Sequence, residues 1–169
     1  VKVSDSLVSS KYLQKKYDMG LKGIQVGVLG NYIQGLNNSN QSSNGFFQFG
    51  GLFNITRSRD FYGIQIAGLT NINKEDMNGV QLAVFNANED MSGIQIAAAN
   101  INDGEFFGLQ IGPLFNYNQD DSLGFMLSLG LNFSRDDITG LQFGLLNVAD
   151  DVNGVQISAL FNFSSDELN

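Results

Sequence analysis

A unit of the form Gly-apolar-Gln-apolar-small, then apolar residues, then Asn-apolar, recurs in nearly the same form nine times between Gly23 and Phe163. Self-similarity at a short period requires units that lean on their neighbours, because none is large enough to bury a core by itself. The Gln slot holds Gln25, Gln48, Gln65, Gln81, Gln95, Gln110, Met126, Gln142 and Gln156, at steps of 14 to 17 residues after a first step of 23. Two residues further on, a small slot never holds more than Ala or Ser, and an Asn slot runs from Asn31 and Asn54 to Asn147 and Asn162.

Around each Gln the pattern has period two. Ile64 and Ile66 flank Gln65, and Phe125, Leu127, Leu129, Leu131 and Phe133 alternate with Met126, Ser128, Gly130 and Asn132. Period two is the strand signature, with apolar residues on one face. Short polar links such as Asn73-Lys74-Glu75-Asp76 and Arg135-Asp136-Asp137 carry turn formers between units. The chain is therefore expected to be all-β.

Two architectures satisfy the repeat. In a parallel β-solenoid each unit is one coil, Gln stacks on Gln and Asn on Asn about 4.8 Å apart, and the small slot is a corner. In an antiparallel barrel or meander of nine or ten strands, each unit is one strand and Gln faces Asn. Outer-membrane barrels alternate short turns with long loops. Here the distances from each Asn to the next Gln show no odd–even alternation, which favours the solenoid. The strand must then bend near the small slot, since a straight ten-residue strand leaves too little chain to return.

Three segments follow: residues 1–22 as an N-terminal segment, 23–163 as the repeat domain, and 164–169 as a tail. Ser9 to Gly20 reads as a short helix, capped by Ser9 or Ser10 and stopped by Gly20, that covers the first coil. Asn37 to Asn44 is a polar insertion. Val1 to Ser10 has no apolar run of the signal-peptide kind.

Composition narrows the chemistry. The 169 residues include no Cys and no His, so thiol nucleophiles, disulfides and the commonest general base are missing. The net charge is −8, and of the 17 acids all but Asp5 and Asp18 lie at or beyond residue 60. Such a body is wrong for nucleic acid, whose phosphates need Lys and Arg. Acid pairs such as Glu89-Asp90, Asp120-Asp121 and Asp150-Asp151 recur in successive links, which suits solvated turns better than one reaction centre or a calcium site. No catalytic residue, cofactor or metal is expected.

An interaction surface is expected instead. Most aromatics read as core. Phe46-Phe47 and Phe106-Phe107 are adjacent pairs, of which one member each should face outward, and Phe161 and Phe163 lie on the last strand. A binding face made by the Gln ladder, for ice or carbohydrate, is a second possibility, although Thr is scarce.

The units Gly63-Ile64-Gln65-Ile66-Ala67-Gly68-Leu69-Thr70-Asn71-Ile72 and Gly140-Leu141-Gln142-Phe143-Gly144-Leu145-Leu146-Asn147-Val148 resemble the GLQIGLxN-type surface repeats of exported proteins in spirochaetes and Bacteroidetes. The resemblance covers residues 23 to 163, and the unit at Gly124 departs from it with Met126 in the Gln slot. It implies a setting in the bacterial cell envelope, periplasmic or at the outer membrane, and no shared activity. The expectation is a non-enzymatic structural or protein-binding module, with a protein partner, a route to the membrane through a complex, and a role such as occluding a secretion pore. A small outer-membrane barrel is the alternative.

Overall fold

Period two does become strand, and the bend falls where the small slot lies. A computed structural model describes residues 22–34, 44–57 and 60–165. In chain order the strands are β1 (Lys22–Gly27), β2 (Gly30–Ile33), β3 (Asn44–Gly50), β4 (Phe53–Thr56), β5 (Phe61–Ala67), β6 (Thr70–Asn73), β7 (Met77–Leu82) and β8 (Phe85–Asn88). They continue with β9 (Met91–Ile96), β10 (Ala99–Asn102), β11 (Phe106–Ile111), β12 (Phe115–Asn118), β13 (Ser122–Leu127), β14 (Leu131–Ser134), β15 (Ile138–Ala149) and β16 (Val152–Ser164). Among the described residues there is no helix. The expected helix at Ser9 to Gly20 lies outside them, as does the insertion up to Asn44, where β3 begins.

Each repeat is one coil of two legs. Up to β14, odd strands pair with odd strands and even with even; β15 pairs with both β13 and β14 and then with β16, and every pairing is parallel. Seven two-strand coils, β1–β2 to β13–β14, are followed by β15 and β16, each of which runs through both legs as one bent strand. The pairing places like on like: Gln81 opposite Gln65 and Gln95, Asn100 opposite Asn86 and Asn116. The chain is a parallel β-solenoid, and the antiparallel barrel is overturned. A two-residue kink such as Gly68-Leu69 between the legs lets a coil of about 15 residues close on itself.

The interior is the opposite of what alternation usually gives. In β5, Phe61, Gln65 and Ala67 are buried while Tyr62 and Ile64 are exposed. In β6, Asn71 and Asn73 are buried and Ile72 is half-buried. The Gln and Asn columns line the lumen, and the apolar residues beside them face out. Gln65, Gln81, Gln95, Gln110 and Gln142 are fully buried, as are Asn54 to Asn147 of the Asn column.

A buried amide is tolerated only when hydrogen-bonded, and here bonds run both along the axis and across the lumen. Along the axis, Gln81 Nε2 donates to Gln65 Oε1 (2.9 Å), and Gln110 Nε2 to Gln95 Oε1 (2.9 Å). The Asn column runs the other way: Asn71 Nδ2 donates to Asn86 Oδ1 and Asn86 Nδ2 to Asn100 Oδ1, both 3.0 Å. The second proton of Asn71 goes to the Leu82 carbonyl at 3.1 Å, which fixes which way the amide faces. Across the lumen, Gln81 Nε2 donates to Asn88 Oδ1 (2.9 Å) and Asn88 Nδ2 returns to Gln81 Oε1 (2.8 Å). Gln95–Asn102 and Gln110–Asn118 repeat this reciprocal pair. Gln suits one leg and Asn the other, because one long and one short amide span the gap.

The network changes character at Met126. Asn118 Nδ2 turns to Ser122 Oγ at 2.8 Å, and Ser122 meets Ser134 Oγ at 3.2 Å. Beyond them Met126, Ile138, Ala149 and Val152 form an apolar cluster. At the turn side of earlier coils, Phe61, Met77, Met91 and Phe106 stack as a second cluster.

One column is reserved for glycine. A Cβ on Gly108 would sit 2.0 Å from the Gly93 carbonyl oxygen, and its φ is +135°. Phe46 occupies this column between Gly23 and Gly63, at φ 124°. Such a backbone costs about 1–3 kcal/mol for a residue with a Cβ. The side chain recovers little, being 69% exposed.

Phe46→Gly is therefore expected to stabilise the fold by about 1 kcal/mol, the relieved strain outweighing about 0.5–1 kcal/mol of added chain entropy; chemical denaturation checks it. Gln95→Leu strands one N–H each on Asn102 and Gln110 and should cost about 3 kcal/mol. Gln142→Leu, beside Met126, loses only a 3.6 Å contact of its Nε2 to the Met126 Sδ and a 3.5 Å one to the Val148 carbonyl, and strands a single N–H, that of the part-buried Gln156, whose Nε2 donates to Gln142 Oε1 at 2.7 Å; it should cost about 1–2 kcal/mol. Equal losses in the two variants would refute the two-part core.

Candidate interaction surface

Outward-facing residues make continuous rows along the axis. On the first legs one row runs through Ile24, Phe47, Ile64, Val80 and Ile94 to Phe125 and Val155. On the second legs Ile101, Tyr117 and Phe133 follow in register, and the Tyr117 and Phe133 rings stack at 5.4 Å, 7° from parallel. At the kink, Leu52, Leu69, Val84, Leu114, Leu145 and Leu160 form an exposed ridge. Backbone bonds lock it, as from Leu69 N–H to the Leu52 carbonyl (2.8 Å).

The sequence-predicted residues divide accordingly. Phe46, Phe107, Phe161 and Phe163 are exposed, and Phe47 is half-buried in its outward row. Phe106 is a correction: it is buried in the Met91 column, because alternation sends Phe107 out and Phe106 in. The reading of most aromatics as core is also corrected, since Phe115, Tyr117 and Phe133 are only half-buried on the outer face. A ligand face made by the Gln ladder is excluded within the rod by burial. The ridge was missed, although its signal was present: the residue two before the Asn slot is a large apolar one in most units.

The opposite edge is charged. Asp76, Asp90, Glu105, Asp121 and Asp137 stand one per coil, each just before the inward residue of a first leg. The Met77 N–H donates to the Asp90 carbonyl and the Phe106 N–H to that of Asp121. With Asn78, Ser92, Phe107 and Leu123 these acids border a shallow groove of 560 Å³. Among the described residues no group of three or more potential ligands is placed to hold a metal ion.

Burial, and after it the neighbouring like charges, favours the proton-bound form of Glu75 and Asp76. Asp76 is raised above its ordinary 3.8 by desolvation, then by the charges of Asp60, Asp90 and Glu89. Glu75 is raised above 4.5 by desolvation, then by Glu89, Asp60 and Asp76.

The fold defines a repeat protein of the parallel β-solenoid class, with an amide core and an apolar outer surface. No protein-family model matches the chain, and no curated protein or solved structure is significantly similar to it.

Because Glu75 and Asp76 bind protons more tightly folded than unfolded, stability is higher on the acid side. It falls as pH rises from their ordinary values through the raised folded ones. The thermal midpoint should therefore rise between pH 7 and pH 4.5 in low salt, and Glu75→Gln/Asp76→Asn should flatten that dependence. A double variant with an unchanged pH profile would contradict the assignment.

Proposed function

We propose that this chain is a non-enzymatic scaffold and binding module of the bacterial cell envelope, which docks into a larger complex through its apolar outer surface. The observation that carries the reading is the ridge and its flanking rows. Leu114 is 64% exposed, Leu69 53% and Phe125 53%, although the lumen is already filled by other residues. Contiguous apolar surface of this extent on a folded chain marks an interaction site.

The closed amide interior supports a mechanical role over a catalytic one. It leaves the lumen packed with satisfied side chains rather than open to a substrate. The resemblance of the units to exported surface repeats supports the envelope setting. Occlusion of a secretion pore suits a rigid rod with a sticky exterior and one acidic edge. The acidic edge faces away from the ridge, so one side offers apolar contact while the other stays hydrated.

A photo-cross-linking residue at Leu69 or Leu114, in cells of the source bacterium, should yield an adduct to one envelope protein, while the same residue at Asp103 on the charged edge should not. Adducts to lipid alone, or equal yields from ridge and edge, would overturn the reading.

A further inference from the structure

The hydrogen-bond polarity of the two amide columns makes the ends of the rod complementary to each other and not to themselves. In the Gln column every Nε2 except that of Gln142, which faces the Met126 sulfur, donates to the preceding Oε1, as in Gln48 to Gln25 (2.7 Å) and Gln156 to Gln142 (2.7 Å). Gln156 Oε1 is consequently buried without a donor, and Gln25 Nε2 has no acceptor among the described residues. The Asn column is reversed: Asn31 Nδ2 donates to Asn54 Oδ1 (2.8 Å) and Asn147 Nδ2 to Asn162 Oδ1 (3.0 Å). This leaves Asn31 Oδ1 open at one end. At the other, Asn162 Nδ2 reaches only its own coil's Gln156 carbonyl, at 3.1 Å.

We propose that the β1–β2 coil of one copy stacks on β16 of a second copy, head to tail, continuing both columns across the junction. Gln25 Nε2 then donates to Gln156 Oε1 and Asn162 Nδ2 to Asn31 Oδ1. Two like ends stacked Gln on Gln and Asn on Asn would instead set donor against donor in one column and acceptor against acceptor in the other.

Two further observations fit the same junction. Outward rows that are half-buried along the rod become exposed at both ends: Tyr32 is 50% exposed, Phe161 71% and Phe163 59%. In the first-leg row Ile24 is 70% exposed against 37% for Ile94. Finally, β16 carries no Lys, Arg or Pro along its 13 residues to guard its edge. A heterologous junction of this kind does not close, so assembly extends beyond a dimer.

The test uses the full 169-residue chain, with residues 1–21 present to compete for the first coil. Sedimentation across micromolar to millimolar concentration should show an open series of oligomers. Gln25→Glu keeps the acceptor for Gln48, and Asn162→Asp keeps the acceptor for Asn147, so both should fold with the wild-type circular dichroism spectrum. Each places a carboxylate where the junction needs a donor, and each alone should need at least about tenfold higher concentration to assemble. Mixed at equal amounts, the two variants should form a one-to-one dimer and stop, since each retains the end that the other lacks. A wild-type chain that stays monomeric, variants that assemble like wild type through their outer faces, or a mixture no different from its components would each overturn the proposal. None of these results bears on whether the ridge docks to an envelope protein.

Discussion

A primary amide away from water needs partners for two N–H groups and a carbonyl, and in this molecule a repeat supplies them by translation. The column above and below each Gln satisfies one set, and the facing leg satisfies the other. A single coil could satisfy only the second. This makes the coils interdependent. Removing one amide strands protons on its neighbours, and networks of this sort respond more as a unit than as separate pairs.

The same geometry explains the other columns. Coils in parallel register place equal residues about 4.8 Å apart, so any slot acceptable once is acceptable throughout, and any mismatch must be answered locally. The answer at Met126 is visible: Ser122 and Ser134 shorten around it, Ala149 replaces an Asn, and Ile138 and Val152 fill the space. Phe46 has no such compensation, and its backbone remains in the region that glycine fills elsewhere in the column.

Filling the lumen with amides displaces apolar side chains to the outside. The hydrophobic effect therefore contributes less to holding coil on coil, and more to whatever covers the rows and the ridge. Charge is segregated to the turn edge, where burial and then the neighbouring acids raise the proton affinity of Glu75 and Asp76. A rod with one wet edge and one greasy ridge has a preferred side for contact along its length, and its ends are a separate matter governed by amide polarity.

Much of this was legible in the residues themselves. The nine units and the alternation around Gln65 and Phe125 follow from spacing. The even distances from Asn to the next Gln favour Gln stacked on Gln with a corner at the small slot, while only the parallel pairing excludes a barrel with Gln facing Asn. Alternation also told that Phe106 and Phe107 part company, though not which of them goes inward. That choice, and with it the reversal of the whole interior, belongs to the tertiary structure. Period two distinguishes two faces of a strand without saying which is inside. Only when both legs are set back to back does the lumen prove narrow enough for a Gln to reach an Asn, as Gln81 reaches Asn88 at 2.9 Å, so that paired amides fill it and the isoleucines and leucines are left on the surface.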